Sequence, residues 1–354
     1  MLPRNKTRQI RVGDIPVGGN APISVQSMAK TETCDVRATI EQIRKLEEAG
    51  CQIIRVAVRD MKDAGALEEI KKNISIPLVA DIHFDYRLAL KAIESGIDKL
   101  RINPGNIGSL DRIQSVVKAA KDRKIPIRIG VNSGSLEKEI LRKYGHPSAE
   151  ALVESALKHV EILRNLDFED ILISIKSTDV PKTIAAYKLL SSKVDYPLHV
   201  GITESGIPKT GIIKSAVGIG SLLSQGIGDT IRVSLTGSPI EEVRVGFEIL
   251  KALDLYSKGV TIISCPTCGR LSFNLEKVVN EIEEKTRHVE VPLKIAIMGC
   301  AVNGPGEAAE ADLGLAGGIG EALLFRKGEV LKKVKEADMV EELLKEIESM
   351  AYKL

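Results

Sequence analysis

The sequence predicts an α/β protein in two parts: an N-terminal (β/α)8 TIM barrel spanning 1–257, and a small α/β module spanning 258–354. Three observations predict it. Short β-branched runs alternate with longer stretches of helical period through most of the chain, charged residues recur where those runs end, and the rhythm changes near Ser257-Lys258-Gly259. Strands alternating with helices pair in parallel through right-handed crossovers, and eight such units over about 250 residues match the count and size of a closed barrel. A doubly wound open sheet is the alternative, because periodicity does not establish closure.

Taken in order, the candidate strands are 23–27, 53–58, 78–82, 99–102, 127–131, 171–175, 198–202 and 230–234. Amphipathic segments lie between them at 36–49, 87–95, 110–124, 149–166, 180–191 and 209–225, and a helix over 240–255 completes the barrel. Asp35 stands as an N-cap for the first helix, and Gly50 ends it. In the module, a strand leads into Cys265, a charged helix covers 274–287, a second strand leads into Cys300, a Gly-rich stretch covers 313–320, a strand covers 322–326, and an amphipathic helix covers 337–350. Gly218-Ile219-Gly220 and Gly317-Gly318-Ile319-Gly320 imitate a dinucleotide loop only in part. Neither follows a strand and opens a helix with an acid beyond it, so both read as turn or packing glycines.

A chain of 354 residues with 44% hydrophobic content can bury a full core. Its net charge of +2 declares no polyanion-binding surface, so no nucleic-acid partner is expected. No run approaches the roughly 18 apolar residues of a membrane span, and Met1-Leu2-Pro3-Arg4-Asn5-Lys6 has no apolar segment behind it, so a cytoplasmic protein without a membrane partner is expected. Five cysteines, two of them in a CxxC pair, point to metal or redox use in a reducing compartment. Cys34 and Cys51 read as ordinary thiols.

Cys265, Cys268 and Cys300 each follow an apolar run, and thiolates so placed select zinc, copper(I) or iron–sulfur clusters. Glu307, on the Gly-Pro-Gly turn after Cys300, offers a fourth ligand of a kind that a [4Fe-4S] cluster accepts more naturally than a structural zinc. A structural zinc and an unoccupied CxxC both stay open on spacing alone.

In a barrel, chemistry sits at the carboxyl ends of the strands. Those ends carry Arg55; Asp81 and His83; Arg101 and Asn103; Arg128 and Asn132; Ser174 and Lys176; Thr203 and Glu204; and Arg232 and Ser234. Five cations on five strands are costly to bury without a counter-ion, and the planar arginine fork suits phosphate oxygens, so a phosphate or diphosphate ester is the expected ligand. Asp81, His83 and Glu204 are the acid–base candidates. The bland alternative sends some cations outward to helix carboxylates, with the asparagines serving as turn formers.

With both parts in view, the chain resembles the 4-hydroxy-3-methylbut-2-enyl diphosphate synthase family of the methylerythritol phosphate route to isoprenoids, in its bacterial two-domain form. The blocks that carry the resemblance are Val25-Gln26-Ser27-Met28, Thr31-Glu32-Thr33, Ala80-Asp81-Ile82-His83-Phe84, the run from Leu100 to Gly108, the run from Ile127 to Asn132, Gly201-Ile202-Thr203-Glu204, and the set Cys265, Cys268, Cys300 and Glu307. The resemblance implies two-electron reductive ring opening of 2-C-methyl-D-erythritol 2,4-cyclodiphosphate with loss of water, and electrons from ferredoxin or flavodoxin. It implies a [4Fe-4S] cluster on Cys265, Cys268, Cys300 and Glu307, barrel cations gripping the diphosphate, and Glu204 assisting proton transfer. It also implies a head-to-tail homodimer. Two other readings compete: a redox-neutral barrel lyase or transferase with a structural zinc, and a cluster-bearing electron carrier, which leaves the barrel cations unexplained.

Overall fold

The computed structural model describes residues 2–300, 306 and 309–351. The chain forms two compact units that meet in sequence between Leu255 and Tyr256.

The first unit opens with a small antiparallel hairpin, β1 (Ile10–Val12) and β2 (Ile15–Val17). Eight parallel strands follow: β3 (Ser24–Met28), β4 (Ile53–Ala57), β5 (Leu78–Asp81), β6 (Lys99–Ile102), β7 (Ile127–Asn132), β8 (Ile171–Lys176), β9 (His199–Val200) and β10 (Thr230–Ile231). Each pairs with its sequence neighbour, β10 returns to β3, and a bridge between Ile173 and Leu198 joins β8 to the approach of β9, so the sheet is a barrel and not an open doubly wound sheet. Around it lie α1 (Val36–Glu48), α2 (Met61–Lys72), α3 (Tyr86–Glu94), α4 (Leu110–Asp122), α5 (Lys138–Tyr144), α6 (Ala149–Arg164), α7 (Val180–Ser191), α8 (Pro208–Leu223) and α9 (Pro239–Lys251). Asp35 does cap α1, accepting from the Ala38 amide.

Three local features were not legible. The hairpin strands are only three residues long and carry no useful period. Helix α2 opens on an exposed Met61 and contains Gly65, which blurs its stripe. Strands β9 and β10 stop earlier than their apolar runs do, and after β9 the chain turns off the ladder through Glu204 at φ 51° and Gly206 at φ 99°. The hairpin nonetheless has a defined task. Ile10, Val12 and Val17 pack on Ile53, Val79 and Leu172, the inward residues at the amino end of β4, β5 and β8, and floor the barrel with apolar side chains.

The second unit is a five-stranded mixed sheet in the order β11 (Val260–Ser264), β12 (Leu293–Met298), β13 (Leu313–Gly317), β14 (Glu321–Arg326), β15 (Glu329–Lys335). The first three strands are parallel and the others antiparallel. Helices α10 (Leu275–Lys285) and α11 (Met339–Ala351) share one core with it through Leu275, Ile282, Leu343 and Ile347. The Gly-rich stretch is therefore a strand plus a turn. A Cβ on Gly317 would collide with the Phe273 ring, and Gly320 takes φ 69° in the turn. Among the described residues, no helix is long and apolar enough to cross a membrane.

Gly218 and Gly220 on α8 separate packing from permissiveness. A Cβ on Gly218 would strike Ile202, whereas nothing lies within 4 Å of one on Gly220. Gly218→Ala should cost about 2 kcal/mol through overpacking, while Gly220→Ala should gain up to about 1 kcal/mol from helix propensity. Paired thermal melts check both signs.

Candidate active site

Strand alternation sends Arg55, Asp81, Lys99, Arg101, Arg128, Ser174 and Lys176 inward, where a barrel ordinarily packs branched aliphatic residues. Lys99, Arg101, Arg128 and Lys176 are buried, and Arg55 and Arg232 are only 12% and 13% exposed. Two glycines, one in β7 and one just past β9, make room for this. A Cβ on Gly130 would lie 2.5 Å from Arg101 Nε, and one on Gly201 would lie 2.9 Å from Lys176 Nζ.

Asp81 is the centre of the arrangement. Arg101 Nη1 donates to its Oδ1 at 2.9 Å, and Arg55 Nε lies 3.6 Å from its Oδ2. Burial alone would raise the Asp81 pKa, but Arg55, Arg101 and Arg128 outweigh it and hold the carboxyl well below the usual carboxylate range. Arg101 Nη2 also donates to the Gly130 carbonyl at 2.7 Å, and Arg55 leans on the Met28 sulfur at 2.9 Å. The cations outnumber their partners. Arg128 Nε and Nη2, Arg101 Nε and Arg232 Nε have no hydrogen-bond partner among the described residues. Burial first, then mutual repulsion, pushes Lys176, Lys99 and Arg128 well below their ordinary values, and lowers Arg55 to about 9. Such a cage strongly favours an incoming anion.

His83 stands at the rim, 55% exposed, with Arg101 Nη1 2.9 Å from its Nε2. The guanidinium has only hydrogens to offer, so the ring accepts there, and burial followed by Arg101 lowers its pKa. Asn103 accepts from the Gly130 amide at 2.9 Å, which ties the loop after β6 to β7. Asn132 ends β7, Thr203 and Ser234 are half-buried beyond β9 and β10, Ser174 is buried on β8, and Glu204 is exposed at positive φ.

Sequence reasoning missed three groups. Lys99 lies two residues below Arg101 on the same strand face and donates to Gln26 Oε1 at 3.3 Å. His199 is fully buried at the start of β9, and neither ring nitrogen has a partner among the described residues. Glu242, on the first turn of α9, lies 3.0 Å from Lys30 Nζ and 3.8 Å from Arg232 Nη2. The period-2 alternation could have shown Lys99 and His199 once the amino ends of the strands were read as well. Glu242 had no signal, because it comes from a helix.

In the second unit, β11 and β12 are parallel neighbours, so their carboxyl ends deliver Cys265 and Cys300 to the same edge. The Gly299 amide donates to Cys265 Sγ at 3.3 Å, and a Cβ on Gly299 would collide with Leu271. An amide aimed at a cysteine sulfur suits a thiolate ligand. Cys268 is exposed nearby in sequence, and Glu307 lies outside the described residues. Among the described residues, no three His, Cys, Asp or Glu side chains already converge as a metal site. Soft donors arriving at one sheet edge nonetheless fit an iron–sulfur cluster.

The family model described as the GcpE TIM-barrel domain matches residues 7–247, and that of the GcpE protein C-terminal domain matches 261–349. The chain belongs to the GcpE family. Among its relatives, a protein of Caldanaerobacter subterraneus subsp. tengcongensis is 63% identical and one of Geobacter sulfurreducens is 61% identical, each alignment covering 98% of both chains. Both relatives are named 4-hydroxy-3-methylbut-2-en-1-yl diphosphate synthase (flavodoxin). The GcpE barrel match thus covers the whole buried cation set, and the C-terminal match covers the three cysteines.

Asp81→Asn should cost about 3 kcal/mol at neutral pH, because it strands buried guanidinium charge. A carboxyl with a depressed folded pKa contributes stability above its unfolded value near about 4 and loses it as pH falls through the folded value. The gap between wild type and Asp81→Asn should therefore narrow on acidification below about pH 4, as read by denaturant titrations across the acid range.

Proposed function

We infer that this chain reduces 2-C-methyl-D-erythritol 2,4-cyclodiphosphate to (E)-4-hydroxy-3-methylbut-2-enyl diphosphate, with flavodoxin as the electron donor. The observation that carries the reading is the surplus of buried cations in the barrel, which demands an anion of high charge density. The reaction breaks the ring C–O bond to one phosphate, expels the neighbouring hydroxyl as water, forms a C=C bond, and takes in two electrons and two protons.

Arg55, Arg101, Arg128, Lys176 and Arg232 hold the diphosphate, and Asp81 keeps the two arginines beside it oriented. Asn103, Asn132, Ser174, Thr203 and Ser234 present amides and hydroxyls to the remaining oxygens. Glu204, on its turn beyond β9, delivers a proton towards the departing hydroxyl, with His83 as the second rim group. Cys265, Cys268, Cys300 and Glu307 hold a [4Fe-4S] cluster, which when bound supplies electrons singly. Because the cysteines and the barrel cations belong to different units, a head-to-tail homodimer is the proposed working form, in the cytoplasm.

Anaerobically reconstituted protein should carry about four iron and four sulfide with a broad band near about 400 nm, and should turn over the cyclic diphosphate with reduced flavodoxin. A colourless protein holding one zinc after attempted reconstitution, without turnover, would overturn the reading. In the active protein, Arg128→Met should raise KM by about 30-fold or more, the scale for removing a buried charged contact, at unchanged iron content.

A further inference from the structure

We propose that His159, on α6, is a positioning residue that braces the two loops bearing Asn103 and Asn132. The inference rests on the proposed substrate-binding role of those asparagines. Gly105, two residues after Asn103, donates its amide to His159 Nδ1 at 3.2 Å. On the other side, His159 Nε2 lies 3.0 Å from Oε1 of Glu137, five residues after Asn132. That approach is oblique, and Oε1 has no well-aligned donor among the described residues. Glu137 is held by a second contact from the same helix, since Ser155 Oγ donates to its Oε2 at 2.8 Å. Ser155 and His159 are four residues apart and so share one face of α6.

The bond directions assign the tautomer. Nδ1 accepts the Gly105 N–H, so the ring hydrogen sits on Nε2, towards Glu137. Burial would raise the Glu137 pKa, but its contacts with His159 and Ser155 prevail and lower it to about 2, so the carboxylate is available as the acceptor. His159 is only 2% exposed, which makes the brace a buried, low-dielectric contact. Gly105 is fitted to it. A Cβ there would lie 2.9 Å from His159 Cε1. Each loop also reaches its asparagine by a short internal link: the Asn106 amide donates to the Asn103 carbonyl at 2.9 Å, and Ser135 Oγ donates to the Asn132 carbonyl at 3.3 Å. The imidazole thus sets the spacing between two loops that would otherwise drift independently above adjacent strands.

The test is steady-state kinetics of the reconstituted holoenzyme with the cyclic diphosphate. His159→Ala should raise KM by about tenfold, the scale of one buried hydrogen bond with its unpaired partner, while kcat changes much less. His159→Asn should recover most of that loss, because the Asn oxygen can take the place of Nδ1 as acceptor for the Gly105 amide. Gly105→Ala, which leaves the histidine in the sequence but displaces its ring, should reproduce the KM increase and serves if His159→Ala does not fold. A KM within twofold of wild type in the Ala variant that folds, or an Asn variant as impaired as the Ala variant, overturns the brace. Wild-type holoenzyme that fails to turn over the cyclic diphosphate defeats the functional reading instead.

Discussion

Everything in the first unit is subordinate to the cost of keeping guanidinium and ammonium groups inside a β-barrel. A barrel interior filled by aliphatic side chains stabilises itself, whereas this one surrounds Asp81 with more positive charge than one carboxylate can balance. The compensation is local and physical. Gly130 and Gly201 give up side-chain volume so that Arg101 and Lys176 fit, and Glu242 comes in from a helix to meet Lys30 and approach Arg232. Apolar packing is displaced to the floor and to the helix layer outside the strands.

This division explains why the fold was so readable and the site only partly so. Eight β-branched runs separated by capped amphipathic helices declare a barrel, because alternation and capping are written within single segments. The same alternation placed Arg101, Arg128 and Lys176 on inward faces. What it could not give were relations between segments. Glu242 becomes part of the site only after α9 packs against β3, and His159 meets Gly105 only after α6 settles beside the loop that follows β6. The early end of β9 likewise precedes a turn at positive φ in non-glycine Glu204, which no propensity announces.

The two units solve different problems with related means. In the barrel, parallel strands direct hard cations to one end. In the smaller sheet, two parallel strands direct soft cysteine sulfurs to one edge, and the Gly299 amide already points at Cys265. Parallel pairing is what permits both, since it brings carboxyl ends together and leaves the loops between them free to carry polar groups.

The hairpin under the barrel has a kinetic meaning as well as a structural one. With Ile10, Val12 and Val17 packed against Ile53, Val79 and Leu172, the lower end is closed by an apolar cluster that disfavours passage of a charged group. The buried cations are therefore approached from the carboxyl ends of the strands. On the proposed role of those cations as the diphosphate grip, an anionic product leaves from the same end at which its precursor entered. Under that proposal precursor and product compete for one berth, so a tighter grip on the first slows the release of the second.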